Sequence, residues 1–151
     1  KKFEVKNTTV ATIGGVLNLK EFADFDAIRS LCKELGVLPP KTKIITFVEN
    51  NKIKDNLCDT YFIPKYFGWK GTIKNINLQT FIETEFDTLI YFYKEHSIEL
   101  DMIAAASKAN FKIGISIDNQ KLYDFIIDVN TNQFSLFKVE LKKYLTVLNK
   151  L

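Results

Sequence analysis

Apolar residues follow two rhythms along this chain, short near-continuous runs and helical stripes, and the two alternate. Residues 10–17, VATIGGVL, form a run rich in β-branched side chains and predict a first strand. Gly14 and Gly15 lie inside it, where glycine marks a close backbone approach or a bulge. Asp24 or Asp26 is then placed to cap a helix. Its stripe is Ile28, Leu31, Cys32 and Leu35, spaced i, i+3, i+4, i+7. Gly36 suits the position just past the helix end, and Pro39 and Pro40 forbid continuation. Residues 43–49, KIITFVE, are apolar nearly throughout, as in a strand buried on both faces of a parallel sheet. Strand, helix and strand make one βαβ unit, expected to be right-handed.

The second half repeats the alternation. Residues 86–93, FDTLIYFY, predict a third strand, and Ser97 caps a helix with Leu100, Ile103, Ala104 and Ser107 on one face. Residues 111–117, FKIGISI, predict a fourth strand, and residues 122–129, LYDFIIDV, a fifth. The link between these two is too short for a helical crossover, so as neighbours they are expected to run antiparallel. Asn132 opens a last helix, striped by Phe137, Leu141, Tyr144, Leu145 and Leu148 with lysines on its flank. Between the halves, residues 50–77 are irregular, apart from a short helix over 78–84 that Asn77 would cap. The expectation is one α/β domain over residues 1–151. It is Rossmann-like, with about five mainly parallel strands and helices on both faces.

Composition narrows the class more than the chemistry. A chain of 151 residues, 46% hydrophobic and 26% charged, has enough material for a core without staples. Cys32 and Cys58 are too few for a disulfide scaffold, which points to the cytoplasm. Cys32 falls on the apolar face of its helix and reads as a small core residue. The net charge of +3 is too small to announce a nucleic-acid binder, and no apolar run is long enough to span a membrane. The chain begins at Lys1 without methionine, as a trimmed or processed protein would.

Candidate chemistry is sparse. No glycine loop follows the first strand, where Asn18-Leu19-Lys20-Glu21-Phe22 stands, so a dinucleotide fingerprint is missing, and no Walker motif occurs. The single histidine, His96, follows the third strand, at the edge where α/β sheets hold ligands. An exposed or capping role is the simpler reading for it. The acids show no metal-ligand spacing. Neither a catalytic residue, a metal nor a cofactor is expected. A small-molecule site, if present, is expected where the strands end, near Asn18, Asn50, His96 and Asp118. In the irregular segment, Lys65, Tyr66, Trp69 and Lys70 interleave charge with aromatic surface and form a candidate interaction loop. Lys65, Tyr66 and Lys70 are expected to face outward, and Phe67 and Trp69 inward.

Two resemblances add to this reading. The segments YFIPKYFGWKG, FDTLIYFY, ASKANFKIGI, LYDFIIDV and FKVELKKYLTVLNKL resemble an uncharacterised family of short cytoplasmic proteins from Flavobacterium-like Bacteroidota. That family implies the same domain but no catalytic residues, and it implies a basic, helix-like stretch ahead of residue 1. More weakly, residues 86–115 resemble the end of the N-terminal half of heptosyltransferase-type glycosyltransferases. The functional expectation is a non-enzymatic module that docks a protein or RNA partner. The alternative is a nucleotide- or sugar-nucleotide-binding remnant of a glycosyltransferase half.

Overall fold

A computed structural model describes residues 9–49, 60–68 and 72–151. Six parallel strands form one sheet: β1 (Ile13–Asn18), β2 (Thr42–Phe47), β3 (Thr60–Phe62), β4 (Thr88–Phe92), β5 (Phe111–Gly114) and β6 (Phe125–Ile126). Their order across the sheet is β3-β2-β1-β4-β5-β6. Chain direction across the sheet reverses between β1 and β4, which is the switch point of a doubly wound, Rossmann-like sheet.

Four helices cover the two faces. Helix α1 (Phe25–Glu34) and helix α4 (Phe134–Val147) lie on one, and helix α2 (Ile76–Glu83) and helix α3 (Ile98–Ala106) on the other. Strand alternation builds both cores at once. Ile90 and Phe92 of β4 meet Ile28 and Leu31 of α1 and Phe137 and Leu141 of α4. Leu89 and Tyr91 point the other way, toward Leu78 and Phe81 of α2 and Leu100 and Ile103 of α3. The helix termini obey local chemistry. Asp24 caps α1 by accepting from the Ala27 amide, and Ser97 caps α3 by accepting from Leu100. Gly36 ends α1 with φ of 86°, a left-handed conformation that suits glycine.

Several expectations need correction. The last strand is parallel to β5, not antiparallel. The apolar run at 122–129 is mostly not strand. A 3-10 turn at Gln120–Leu122 takes its start, so residues 115–124 are free to make a crossover of nearly the usual length, about a dozen residues. The cap of α2 is Asn75, two residues earlier than expected, accepting from the Leu78 amide. In α4, Phe137, Leu141 and Leu145 are buried, but Leu148 lies past the helix and is exposed. The sheet also has one strand more than expected, the short β3 inside the irregular segment.

Candidate functional site

Polar side chains converge at the carboxyl ends of the strands, in two adjoining groups. The first lies at the switch point. Asn18 ends β1 and is only 2% exposed. Its amide Nδ2 donates to Glu21 Oε2 at 2.9 Å. The backbone amides of Lys94 and Glu95, just past the end of β4, donate to the same carboxylate at 2.7 and 3.1 Å. Three N–H donors thus meet on one carboxylate in the crevice where doubly wound sheets bind ligands. The turn carrying Glu21 is itself fixed. The Glu21 and Phe22 amides donate to the Asn18 carbonyl, and the Phe22 ring packs on Phe92 and Phe134 at 4.8 and 5.3 Å. On the rim, Lys20 pairs with Glu95 and Glu49, and these hydrogen bonds, Glu95 first, raise its pKa.

The second group centres on His96. Its Nδ1 lies 2.6 Å from Asp101 Oδ1, and its Nε2 lies 2.8 Å from Ser116 Oγ. A carboxylate only accepts, which puts the ring proton on Nδ1 and leaves Nε2 to accept from the Ser116 hydroxyl. Ser116 Oγ in turn accepts from the Asp118 amide at 3.3 Å, and Asn119 Nδ2 donates to Asp101 Oδ2 at 3.3 Å. The order Asp–His–Ser matches that of serine hydrolases, where the histidine takes the serine proton as the hydroxyl attacks a carbonyl. Here Ser116 is 1% exposed, so no substrate carbonyl reaches its oxygen. The array is a clasp between the loop after β4 and the loop after β5.

A cleft adjoins the clasp. Asp101 forms one wall of this cleft of about 600 Å³, completed by Ile117, Asp118, Asn119 and the turn Gln120–Leu122. Asp118 and Ile117 are exposed in it. A smaller recess of about 210 Å³ lies between α2 and β2, toward the opposite edge of the sheet, lined by the apolar Ile44, Ile45, Phe81 and Phe86 and by Lys43, Asn77, Thr80 and Thr84. None of its polar side chains is buried, whereas Asn18 and Ser116 are, which makes the C-terminal edge the candidate site.

Placed against the sequence reading, Asn18, His96 and Asp118 all lie at this edge, Asn18 in the first group and His96 and Asp118 in the second, and Asn50 falls outside the described residues. His96 is neither exposed nor a cap. Its side chain is 15% exposed and both ring nitrogens are engaged. Of the interaction loop, Lys65 is exposed, whereas Tyr66 and Phe67 both pack partly against the core. Strand alternation does not apply there, because Pro64–Tyr66 is a 3-10 turn. Trp69, Lys70 and Cys58 lie outside the described residues. Glu21, Asp101 and Ser116 were missed as site residues. One signal was available for the pair: His96 and Asp101 flank the Ser97 cap at the N′ and N4 positions, which face each other at a helix start. Among the described residues no group of histidine, cysteine and acids could hold a metal, and no helix is long and apolar enough to cross a membrane.

A family model covers residues 1–148. The chain belongs to the family of unknown function DUF6913. No curated protein and no solved structure matches it.

Proposed function

We propose that this chain is a non-enzymatic, cytoplasmic binding module that docks a protein partner at the C-terminal edge of its sheet. It takes a lysine or arginine side chain of that partner into the cleft beside Asp101 and Asp118. The observation that carries the reading is the Asp101 carboxylate, held by His96 at 2.6 Å in the cleft wall. A carboxylate whose rotamer is already fixed loses little entropy when it pairs with a cation. Exposed Ile117 in the same cleft suits the aliphatic stem of such a side chain. Among the described residues that follow the strands, acids also outnumber lysines: Glu21, Glu49, Glu95, Asp101, Asp118 and Asp128 against Lys20, Lys65, Lys94 and Lys121. That field repels a phosphate backbone, which favours protein over RNA. The lysine, asparagine and isoleucine bias of the chain fits a source among Flavobacterium-like Bacteroidota.

The sugar-nucleotide reading, a remnant of a glycosyltransferase half, has the strand order in its favour. Against it, no glycine follows β1 and the Glu21 carboxylate already occupies the donors at the switch point. Fluorescence anisotropy with a labelled arginine- and lysine-rich peptide, a single-stranded RNA and a uridine diphosphate sugar separates the readings. The peptide is expected to bind, and Asp101→Asn to weaken it about tenfold, equivalent to about 1.4 kcal/mol. Peptide binding indifferent to Asp101→Asn and Asp118→Asn, or binding of RNA or nucleotide sugar alone, would overturn the proposal.

A further inference from the structure

We infer that the crevice between β1 and β4 is an oxyanion site held shut by an internal ligand, the Glu21 carboxylate. It takes the phosphate or carboxylate group of a small molecule when that side chain turns out. The site is separate from the cleft beside Asp101 and does not depend on the docking function.

The donors do not depend on Glu21. The Lys94 and Glu95 amides are set by the end of β4, a central strand paired on both sides. Asn18 is 98% buried at the end of β1, and its backbone is tied on both flanks, by the Leu19 amide on the Phe47 carbonyl and by the Glu21 and Phe22 amides on its own carbonyl. Phe22, edge-on to Phe92 and stacked on Phe134, keeps the turn in place. Only the Glu21 side chain has to move, by rotation about its own bonds, to leave three preset N–H groups facing an empty, carboxylate-sized space. Three convergent donors satisfy an oxyanion and are poor surroundings for a neutral or cationic group. Two lysines stand on the rim, Lys20 held by Glu49 and Glu95, and Lys94 held by Asp128. Those flanking acids limit the site to a single anionic group. A tethered internal ligand competes at an effective concentration on the order of millimolar, so an external anion binds the intact chain weakly unless it also draws Glu21 away.

The test removes the plug. In Glu21→Ala the three donors are retained and the carboxylate is gone. Inorganic phosphate and acetate, each against sodium chloride at equal ionic strength, are titrated into the full chain and into the variant, following the backbone amide resonances of Lys94 and Glu95. Saturable shifts at both amides are expected in the variant, with affinity at least about tenfold above that of the unaltered chain, as a tethered competitor requires. The same anions are expected to raise the melting temperature of the variant and leave the unaltered chain unmoved. Glu21→Gln retains the shape and removes the charge, and serves if the alanine variant folds poorly. It is expected to bind phosphate with intermediate affinity. Adding Asn18→Leu to either variant is expected to abolish the effect. Equal affinity in altered and unaltered chains, an equal response to chloride, or no shift at Lys94 and Glu95 in either variant overturns the inference.

Discussion

The aromatic ring of Tyr123 lies flat over Gly114, so close that a methyl group on that glycine would meet its ring carbons at 2.6 Å. The contact places Tyr123 against Tyr91, with centroids 5.3 Å apart, and brings its hydroxyl within 3.3 Å of that of Tyr93. The missing side chain at β5 thus makes room for the tyrosine cluster on the α2–α3 face. Gly114→Ala is expected to destabilise by about 1–3 kcal/mol, the usual cost of overpacking a filled core. Gly15→Ala is the control, because its nearest neighbours stand at 3.6 Å and beyond, ordinary contact distance. Chemical denaturation of the two variants checks the contrast. Equal stability would mean that the Tyr123 ring moves aside freely.

The same three tyrosines set an alkaline limit. Burial pushes Tyr123 up to about 12 from 10.0, and burial likewise raises Tyr91 and Tyr93 well above the ordinary range. A phenol whose folded pKa exceeds its unfolded one favours folding in its neutral form. That stability is complete below pH 10 and is lost as pH rises from 10.0 toward about 12. Of the six tyrosines in the chain, these three are expected to ionise only as the protein unfolds. Ultraviolet titration of phenolate, read beside far-ultraviolet circular dichroism, is expected to show them appearing together with loss of structure. Their ionisation in a folded protein below pH 10 would contradict the burial.

Two threonines in the sheet are oxygen-bearing where the surroundings have no use for oxygen. The hydroxyls of Thr46 and Thr88 are buried and have no hydrogen-bond partner. An unmet buried hydroxyl costs about 1–3 kcal/mol, and valine has nearly the same shape. Thr46→Val and Thr88→Val are each expected to leave stability unchanged or to raise it. A loss beyond about 1 kcal/mol in either, against that penalty, would show an unseen partner such as a buried water.

The sequence spoke most clearly where local physics decides. The stripe of Ile28, Leu31, Cys32 and Leu35 between Asp24 and Gly36 defines α1 without reference to the rest of the chain, and all four residues are buried. The four longer strands were legible as apolar runs, since a parallel sheet buries both faces. β3 escaped because it is three residues long at the sheet edge, and the direction of β6 escaped because a 3-10 turn imitates the start of a strand in composition. The site was less legible still. Ser116 lies twenty residues from His96 and meets it only because β4 and β5 are neighbours. Likewise, Glu21 and the Lys94 amide are 73 residues apart, brought together by the pairing of β1 with β4.

The pair His96 and Asp101 occupies the N′ and N4 positions of α3, where many helices place two apolar residues that staple the entering chain. That substitution separates structure from function. If the pair were only a staple, two leucines would do its work, because a well-packed apolar pair often replaces a partly buried polar one at no loss of stability. His96→Leu alone leaves Ser116 and Asp101 without their shared partner, and Asp101→Leu alone strands the imidazole Nδ1. Each single change is expected to cost about 1–3 kcal/mol, the penalty of an unmet buried polar group. The double variant is expected to be more stable than either single one, with a favourable coupling within the range of about 0.5–3 kcal/mol typical of contacting residues. It is also expected to lose the basic peptide, since the oriented carboxylate is gone. Denaturation curves give the coupling, and anisotropy gives the binding. A fluorophosphonate probe completes the set, and Ser116 is expected to stay unlabelled in the native protein because its hydroxyl is enclosed. Strictly additive losses would show that the two side chains act apart. A labelled Ser116 would show that the clasp opens to substrate and that the Asp–His–Ser order is catalytic after all.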